Sequence, residues 1–132
     1  MSAADPIFTA ELADQYVSAI RSGDVDASLR LLAPDLLRAA PLEAGDGLAE
    51  LRGLERIKDN SARLNADCQI HAVQVDDPLV RDEQFAARFA FDRTHLPTGK
   101  RETVVKISLY TVVGPAIVRE EVYYHTPPRT AG

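Results

Sequence analysis

The sequence predicts an α+β domain in which helices cover one face of a curved, mostly antiparallel sheet. The first observation is the order of the patterns. Three helical segments with one short strand among them precede residue 65, and strand-like segments fill the rest. The second is the stretch 103–125, which divides into two strands, Thr103–Val113 and Pro115–His125, rich in β-branched and aromatic residues. Because these strands are too long for an isolated hairpin, we expect a larger sheet with helices packed on its face.

Length, composition and charge narrow the class of protein. The 132 residues carry a net charge of −5, with 45% hydrophobic and 27% charged residues, which fits one domain spanning residues 1–132. The negative charge argues against a nucleic-acid partner, which would need a basic face. No apolar run is long enough to span a membrane. Cys68 is the only cysteine, which excludes an internal disulfide and fits a reducing, cytoplasmic location.

Three helices are predicted from apolar spacing and from residues that start or stop a helix. Residues 1–8 are expected to be a loose leader, and Thr9 is the expected N-cap of the first helix. Gly23 ends that helix, Asp24 caps a short second helix, and Pro34 ends the second. The third begins near Gly53. The apolar residues at helical spacing are Leu12, Tyr16, Ala19 and Ile20, then Val25, Leu29 and Leu32, then Leu54, Ile57 and Leu64.

The remaining segments are predicted as strands, loops and a tail. Besides the two C-terminal strands, we expect strands at Leu36–Leu42, Gln69–Asp76 and Gln84–Thr94. Residues 43–50 are a predicted loop, residues 95–100 a connecting turn, and residues 126–132 a frayed tail.

Alternation along each strand assigns one face to the helices. Phe85, Ala87, Phe89 and Phe91 share one face of their strand. On the same principle, the apolar sets of the last two strands are assigned to the helices, and the polar set Lys106, Ser108 and Tyr110 to the opposite side. The apolar sets are Val105, Ile107 and Leu109, then Val118, Val122 and Tyr124.

Glu120 is the exception, since it lies between Val118 and Val122 on the apolar side. A carboxylate there must be paired, protonated or exposed to a water-filled cavity. One interpretation is an ion pair with an arginine of the third helix, Arg56 or Arg63. Another is an error in the strand register. The third is a functional acid or base.

Several segments, taken together and in order, resemble the nuclear transport factor 2-like superfamily, in particular its ketosteroid isomerase and SnoaL-like polyketide cyclase branch. The resemblance covers roughly residues 9–125. It implies a cone-shaped barrel, a sheet wrapped around three N-terminal helices, with a pocket for a small apolar ligand at the open end. It also implies a homodimer through the outer sheet face, with Arg88, Asp92, Lys106, Ser108, Tyr110 and Tyr123 at the interface. The segments are Tyr16–Asp24, Ala33–Asp35, Gly53 with Ile57, Thr103–Val105 and Ile117–Glu121.

The resemblance also indicates which site residues are present. Tyr16 matches the tyrosine that donates a hydrogen bond to the oxyanion in ketosteroid isomerases. The general base of those enzymes, an aspartate before a proline, is missing, because the matching dipeptide here is Ala40-Pro41. The second oxyanion donor is missing as well, because the residue nearest its position is Leu109, which has no proton to donate. Steroid isomerisation by that route is therefore not expected. Cyclases of this branch take a carboxylate or histidine from later strands, where Glu120 or His125 stands.

His71 completes the set of candidate catalytic residues, with Glu120 and Tyr16. It is expected on the same strand face as Val73 and Val75, either as a pocket acid or base or as a hydrogen-bonded structural histidine. The three histidines are too scattered for a metal site, and the sequence carries no motif for a cofactor.

Two functions follow from these residues. The first is a binding protein with an apolar small-molecule pocket and no catalysis. The second is an isomerase or cyclase acting on a polyketide- or steroid-like carbonyl compound. Glu120 would then move a proton with a pKa raised by burial, and Tyr16 would stabilise the developing oxyanion.

Overall fold

The computed structural model describes residues 6–40 and 50–125, which contain three helices and seven strands. The helices are α1 (Pro6–Ser22), α2 (Val25–Arg30) and α3 (Leu54–Leu64). The strands are β1 (Leu32–Ala39), β2 (Glu50–Arg52), β3 (Cys68–Val75), β4 (Leu79–Arg81), β5 (Gln84–His95), β6 (Lys100–Val113) and β7 (Ala116–Tyr124).

All seven strands belong to one sheet, which confirms the predicted fold class. Its order is β2-β1-β7-β6-β5-β3, and β4 pairs with β5. Every pairing is antiparallel except that of β1 with β7. Helix α1 packs on β3, β4 and β5, while α3 packs on β1 and β2. The sheet curves around the helices as a cone that, within the described residues, stays open between β2 and β3.

The predicted element boundaries are right in the middle of the chain and less so near its start. Gly23 has a φ of +72° at the end of α1, and Asp24 caps α2 by accepting a hydrogen bond from the Ala27 N–H at 3.0 Å. Helix α1, however, begins at Pro6, and Thr9 is buried inside it rather than capping it.

The first strand begins earlier than predicted. Pro34 lies inside β1, where the pairing with β7 is irregular between Leu32 and Leu37, so the missing N–H is tolerated. Strands β2 and β4 have only three residues each, which is too short for alternation to reveal them. The predicted ends of the first strand at 41–42, the loop at 43–49 and the tail at 126–132 lie outside the described residues.

The predicted face of β6 is wrong. Val104, Ser108, Tyr110 and Val112 are buried against the helices, whereas Ile107 is 45% exposed on the outer side. The pairing of β6 with β7 contains a bulge in β7: Val112 pairs with Ile117, but Thr111 already pairs with Arg119. Because of this extra residue, Glu120 shares the inward face with Tyr110 rather than with Leu109.

This correction also changes the predicted interface. Lys106, Ser108 and Tyr110 belong to the concave face rather than to the outer surface. Tyr123, in contrast, is exposed on the outer side, as predicted.

The core forms where α1 meets the middle of the sheet. The ring centroids of Tyr16 and Tyr110 are 5.1 Å apart, and those of Phe85 and Tyr110 are 4.7 Å apart. Leu12 and Val17 of α1 are buried beside them. Fully burying one such side chain contributes about 1.5–3 kcal/mol, so this contact holds α1 on the concave face. Among the described helices, none combines the length and apolar character needed to cross a membrane.

Candidate functional site

The Glu120 carboxylate lies on the concave face and is bound from several sides. Arg38 donates from Nε to Oε1 over 3.0 Å, and the Ser108 hydroxyl donates to Oε2 over 2.8 Å. Lys106 Nζ lies 3.9 Å from Oε2. The side chains of Arg38, Glu120 and Lys106 retain 9%, 10% and 13% of their exposure. Glu120 is therefore an almost buried anion held between two cations.

The sheet register assembles this network. Arg38 of β1 and Tyr110 of β6 both pair with Glu120 of β7, so the three side chains form a row across three strands. Lys106, four residues before Tyr110, shares its face. Its ammonium group lies 5.1 Å and 5.6 Å from the ring centroids of Phe89 and Phe91, a cation–π arrangement.

The pKa of Glu120 is set by opposing effects. Burial by itself raises the pKa of this carboxyl group. The charges of Lys106 and Arg38 and the hydrogen bonds from Ser108 and Tyr110 outweigh it, so the pKa lies below the ordinary value. The expected upward shift is therefore wrong in direction, and Glu120 is ionised at neutral pH.

Two tyrosine hydroxyls lie beside the carboxylate. The hydroxyl oxygens of Tyr110 and Tyr16 are 3.4 Å apart. Burial, followed by the negative charge of Glu120, raises the pKa of both phenols. Both therefore remain protonated and act as hydrogen-bond donors at neutral pH.

The family of the chain follows from comparison with known proteins. A model of the SnoaL-like domain matches residues 13–120, a range that includes Tyr16, Arg38, Lys106, Ser108, Tyr110 and Glu120. The chain belongs to the SnoaL-like family. This confirms the resemblance to the SnoaL-like branch of the nuclear transport factor 2-like superfamily. The comparison with curated proteins found no match.

Solved structures agree with this assignment. A protein from Mesorhizobium loti, proposed to be a SnoaL-like polyketide cyclase, is 32% identical with a TM-score of 0.75, over 87% of this chain and 97% of that one. A Xanthomonas campestris protein of unknown function with a cystatin-like fold is 17% identical with a TM-score of 0.71, over 90% and 92% of the chains. A proposed polyketide cyclase from Pseudomonas putida is 19% identical with a TM-score of 0.62, over 89% and 91%. The last two show likeness of fold alone.

This SnoaL-like domain brings together two of the three predicted site residues. Tyr16 and Glu120 lie on either side of Tyr110, which contacts both. The predicted partners of Glu120, Arg56 and Arg63, are exposed on α3, and Arg38 takes their place.

His71 lies apart from them. It is the extra residue of a bulge in β3, since Ile70 pairs with Arg93 and Ala72 with Asp92. Its side chain is exposed, with Nε2 2.6 Å from the Thr94 hydroxyl oxygen, so it does not share the buried face of Val75. The hydrogen-bonded interpretation agrees with this contact. His125 is also exposed.

Sequence reasoning missed four members of the network: Arg38, Lys106, Ser108 and Tyr110. Three of them were assigned to the wrong face of β6. A signal existed in the turn at 95–100, because pairing of His95 with Lys100 places Tyr110 opposite the inward-facing Phe85. For Arg38, an isolated charge in an apolar strand segment was the only sign.

The SnoaL-like domain also has an open groove on its outer face, with a volume of about 520 Å³. It lies on the side of the sheet opposite Glu120. Within the described residues, no three His, Cys, Asp or Glu side chains are grouped so that they could hold a metal ion. The groove is lined by Ala72, Gln74, Ala90, Asp92, Arg101, Glu102 and Thr103.

Proposed function

We propose that the chain binds a small, largely apolar molecule on the concave face of its sheet and holds an oxygen of that molecule beside Glu120 and Tyr16. The observation that carries this proposal is the almost buried polar network among Phe89, Phe91 and the α1 core. Apolar residues of similar volume are often at least as stabilising as a buried ion pair, so stability alone does not explain such a network. Contact with a polar group of a bound molecule would explain why such a network is present.

Tyr16 supports a direct contact with that molecule. Its hydroxyl oxygen lies 3.4 Å from the hydroxyl oxygen of Tyr110, beside the Glu120 carboxylate. Burial keeps the phenol protonated by raising its pKa. A protonated phenol in an apolar setting can donate a hydrogen bond to a carbonyl or hydroxyl oxygen.

The second candidate is an isomerase or cyclase acting on a polyketide- or steroid-like carbonyl compound, with Glu120 as acid or base and Tyr16 as oxyanion donor. The Mesorhizobium loti relative, proposed to be a polyketide cyclase, favours this class of compound. The lowered pKa of Glu120 disfavours proton transfer, because a carboxylate stabilised by two cations is a weak base. Binding without turnover is therefore the function that we favour over catalysis.

The test uses 2-tetralone, an apolar bicyclic ketone, and matched tyrosine variants. Tyr16→Phe removes the proposed donor, whereas Tyr123→Phe changes an exposed tyrosine on the outer face. We expect 2-tetralone to raise Tm by mass action, with the affinity about fivefold weaker in Tyr16→Phe and unchanged in Tyr123→Phe. Equal affinity in all three proteins would contradict the proposal.

The same probe separates the two functions. In D₂O, binding alone predicts no exchange of the α-protons of 2-tetralone beyond that in buffer. Acid–base catalysis predicts exchange at least about 100-fold faster, abolished by Glu120→Gln.

We also propose that two copies associate through the outer sheet face. Ile107 and Tyr123 are 45% and 56% exposed there, and Leu109 is half-buried. An apolar outer face is better covered than left in water. The apolar side of β6, rather than its polar set, would supply this contact.

A further inference from the structure

An incomplete ion pair lies at the end of the concave face farthest from Tyr16. The pairing of β5 with β6 runs without a bulge from Gln84–Thr111 to His95–Lys100. Arg93 therefore continues the inward series of Phe89 and Phe91, directly opposite Glu102. Their side chains are only 14% and 17% exposed.

The hydrogen bonds of this pair are not made. Arg93 Nη2 and Glu102 Oε2 are 3.8 Å apart, beyond hydrogen-bonding distance. The buried Arg93 Nε has no partner. No hydrogen bond from the Arg93 guanidinium to any other described side chain or backbone group is found. A buried guanidinium N–H without an acceptor is unfavourable, so an acceptor group placed beside Arg93 Nε would be bound favourably.

The neighbouring pair on the outer face shows that such a pair can close in this sheet. Arg101 donates to both oxygens of Asp92 over 2.9 Å and 2.7 Å, a bidentate contact. That pair is exposed to water and complete, whereas the inner pair is shielded from water and incomplete.

The charges of the inner pair select the group that fits it. Arg93 offers N–H donors, and Glu102 offers acceptor oxygens a short distance away. The pair has no net charge, so a carboxylate placed there would be repelled by Glu102. A neutral group with a carbonyl oxygen next to an N–H or O–H satisfies both side chains at once.

We propose that Arg93 and Glu102 bind a neutral donor–acceptor group, such as an amide or a hydroxy-carbonyl, at the far end of a ligand that lies over Phe91. This inference rests on the proposed binding of a small molecule on the concave face. Arg93 lies four residues beyond Phe89, about 13 Å along an extended strand. Lys106 pairs with Phe89, so the ligand would span about this distance between the Lys106 edge of the Glu120 network and the Arg93–Glu102 pair.

The test compares three probes of one shape: benzamide, methyl benzoate and benzoate. NMR follows the Phe91 ring and the Nε–H resonances of Arg93 and Arg101. In the wild-type chain we expect benzamide to bind about fivefold more tightly than benzoate and to shift Arg93 but not Arg101. Glu102→Gln removes the repelling charge, so benzoate should then bind more tightly than benzamide.

Two further variants complete the experiment. Arg93→Gln should weaken benzamide about fivefold, while Arg101→Gln, the matched change on the outer face, should leave all three affinities unchanged. If the probes shift Phe91 but neither Arg93→Gln nor Glu102→Gln alters their order, the Arg93–Glu102 site is wrong and concave-face binding stands. If no probe shifts any concave-face resonance, both proposals fail.

Discussion

In the middle of the β6–β7 hairpin, the two faces carry polar and apolar side chains in the reverse of the usual order. Ser108, Tyr110 and Glu120 lie on the buried concave face, while Ile107 and Leu109 lie on the outer face. An antiparallel sheet with one covered face ordinarily turns its apolar residues inward. The polar residues inside satisfy one another, and in the proposed function they also contact a bound molecule. The apolar residues outside are those that the proposed association of two copies would cover.

The same comparison of inner and outer faces can be made between two neighbouring carboxylates of β7, Glu120 and Glu121. Glu121 is on the outer side, where Arg119 donates to it over 3.1 Å and the Tyr123 hydroxyl over 3.3 Å. Both carboxylates thus contact an arginine and a hydroxyl group. They differ in burial, since the side chain of Glu121 is 28% exposed and that of Glu120 is 10% exposed.

The largest expected effect is on folding stability. Glu120→Gln removes the charge that Arg38 and Lys106 face inside the cone, and we expect a loss of about 3 kcal/mol in the free energy of unfolding. Glu121→Gln should change it by no more than about 0.5 kcal/mol, because water screens the outer pair. Urea denaturation of the two variants measures both values. Similar losses in the two variants would mean that burial does not distinguish the faces.

The next effect concerns the outer face. Ile107→Asp places a charge in the proposed contact between copies. Because burying an unpaired charge is unfavourable, we expect the dissociation constant of the dimer to rise at least about tenfold, measured by sedimentation equilibrium. Leu79→Asp is the control, because Leu79 is 77% exposed on β4, away from this hairpin. A wild-type chain that is monomeric at high concentration would refute the proposed association.

The smallest effect is the dependence of stability on pH. The pKa of Glu120 is lower in the folded chain than its unfolded value, about 4.3. Between these values the unfolded chain binds more protons, so the contribution of Glu120 is complete above about pH 5. It is lost as pH falls through the folded-state pKa. We therefore expect the stability difference between wild type and Glu120→Gln to narrow from pH 6 to pH 3. A constant difference would show that the Glu120 charge is not coupled to folding.

The error on β6 shows where sequence reasoning stops. If the tight turn at Gly114 continued as a regular hairpin, Leu109 would face Glu120, as the apolar assignment assumed. The turn at 95–100 instead implies that Tyr110 faces inward opposite Phe85. These two registers disagree by one residue, and only a bulge reconciles them. Sequence alone did not show which hairpin held it.

The ion-pair partner of Glu120 cannot be predicted from the sequence, for a related reason. Arg56 and Arg63 were candidates because they are close to an apolar helical face in sequence. Arg38 lies on β1, whose parallel pairing with β7 joins residues 82 positions apart. No local pattern records such a pairing, since it depends on how the sheet closes around the helices.

The sequence by itself determined the order of helices and strands, the helix end at Gly23, the turn at Gly114 and the anomaly at Glu120. These features follow from side-chain periodicity and from local backbone preferences, which a short segment expresses on its own. Only the tertiary structure decided that Tyr110, Ser108 and Lys106 surround Glu120 and that His71 lies outside. Both outcomes depend on one-residue bulges in β7 and β3, and a shift of one residue moves every following side chain to the other face of a sheet.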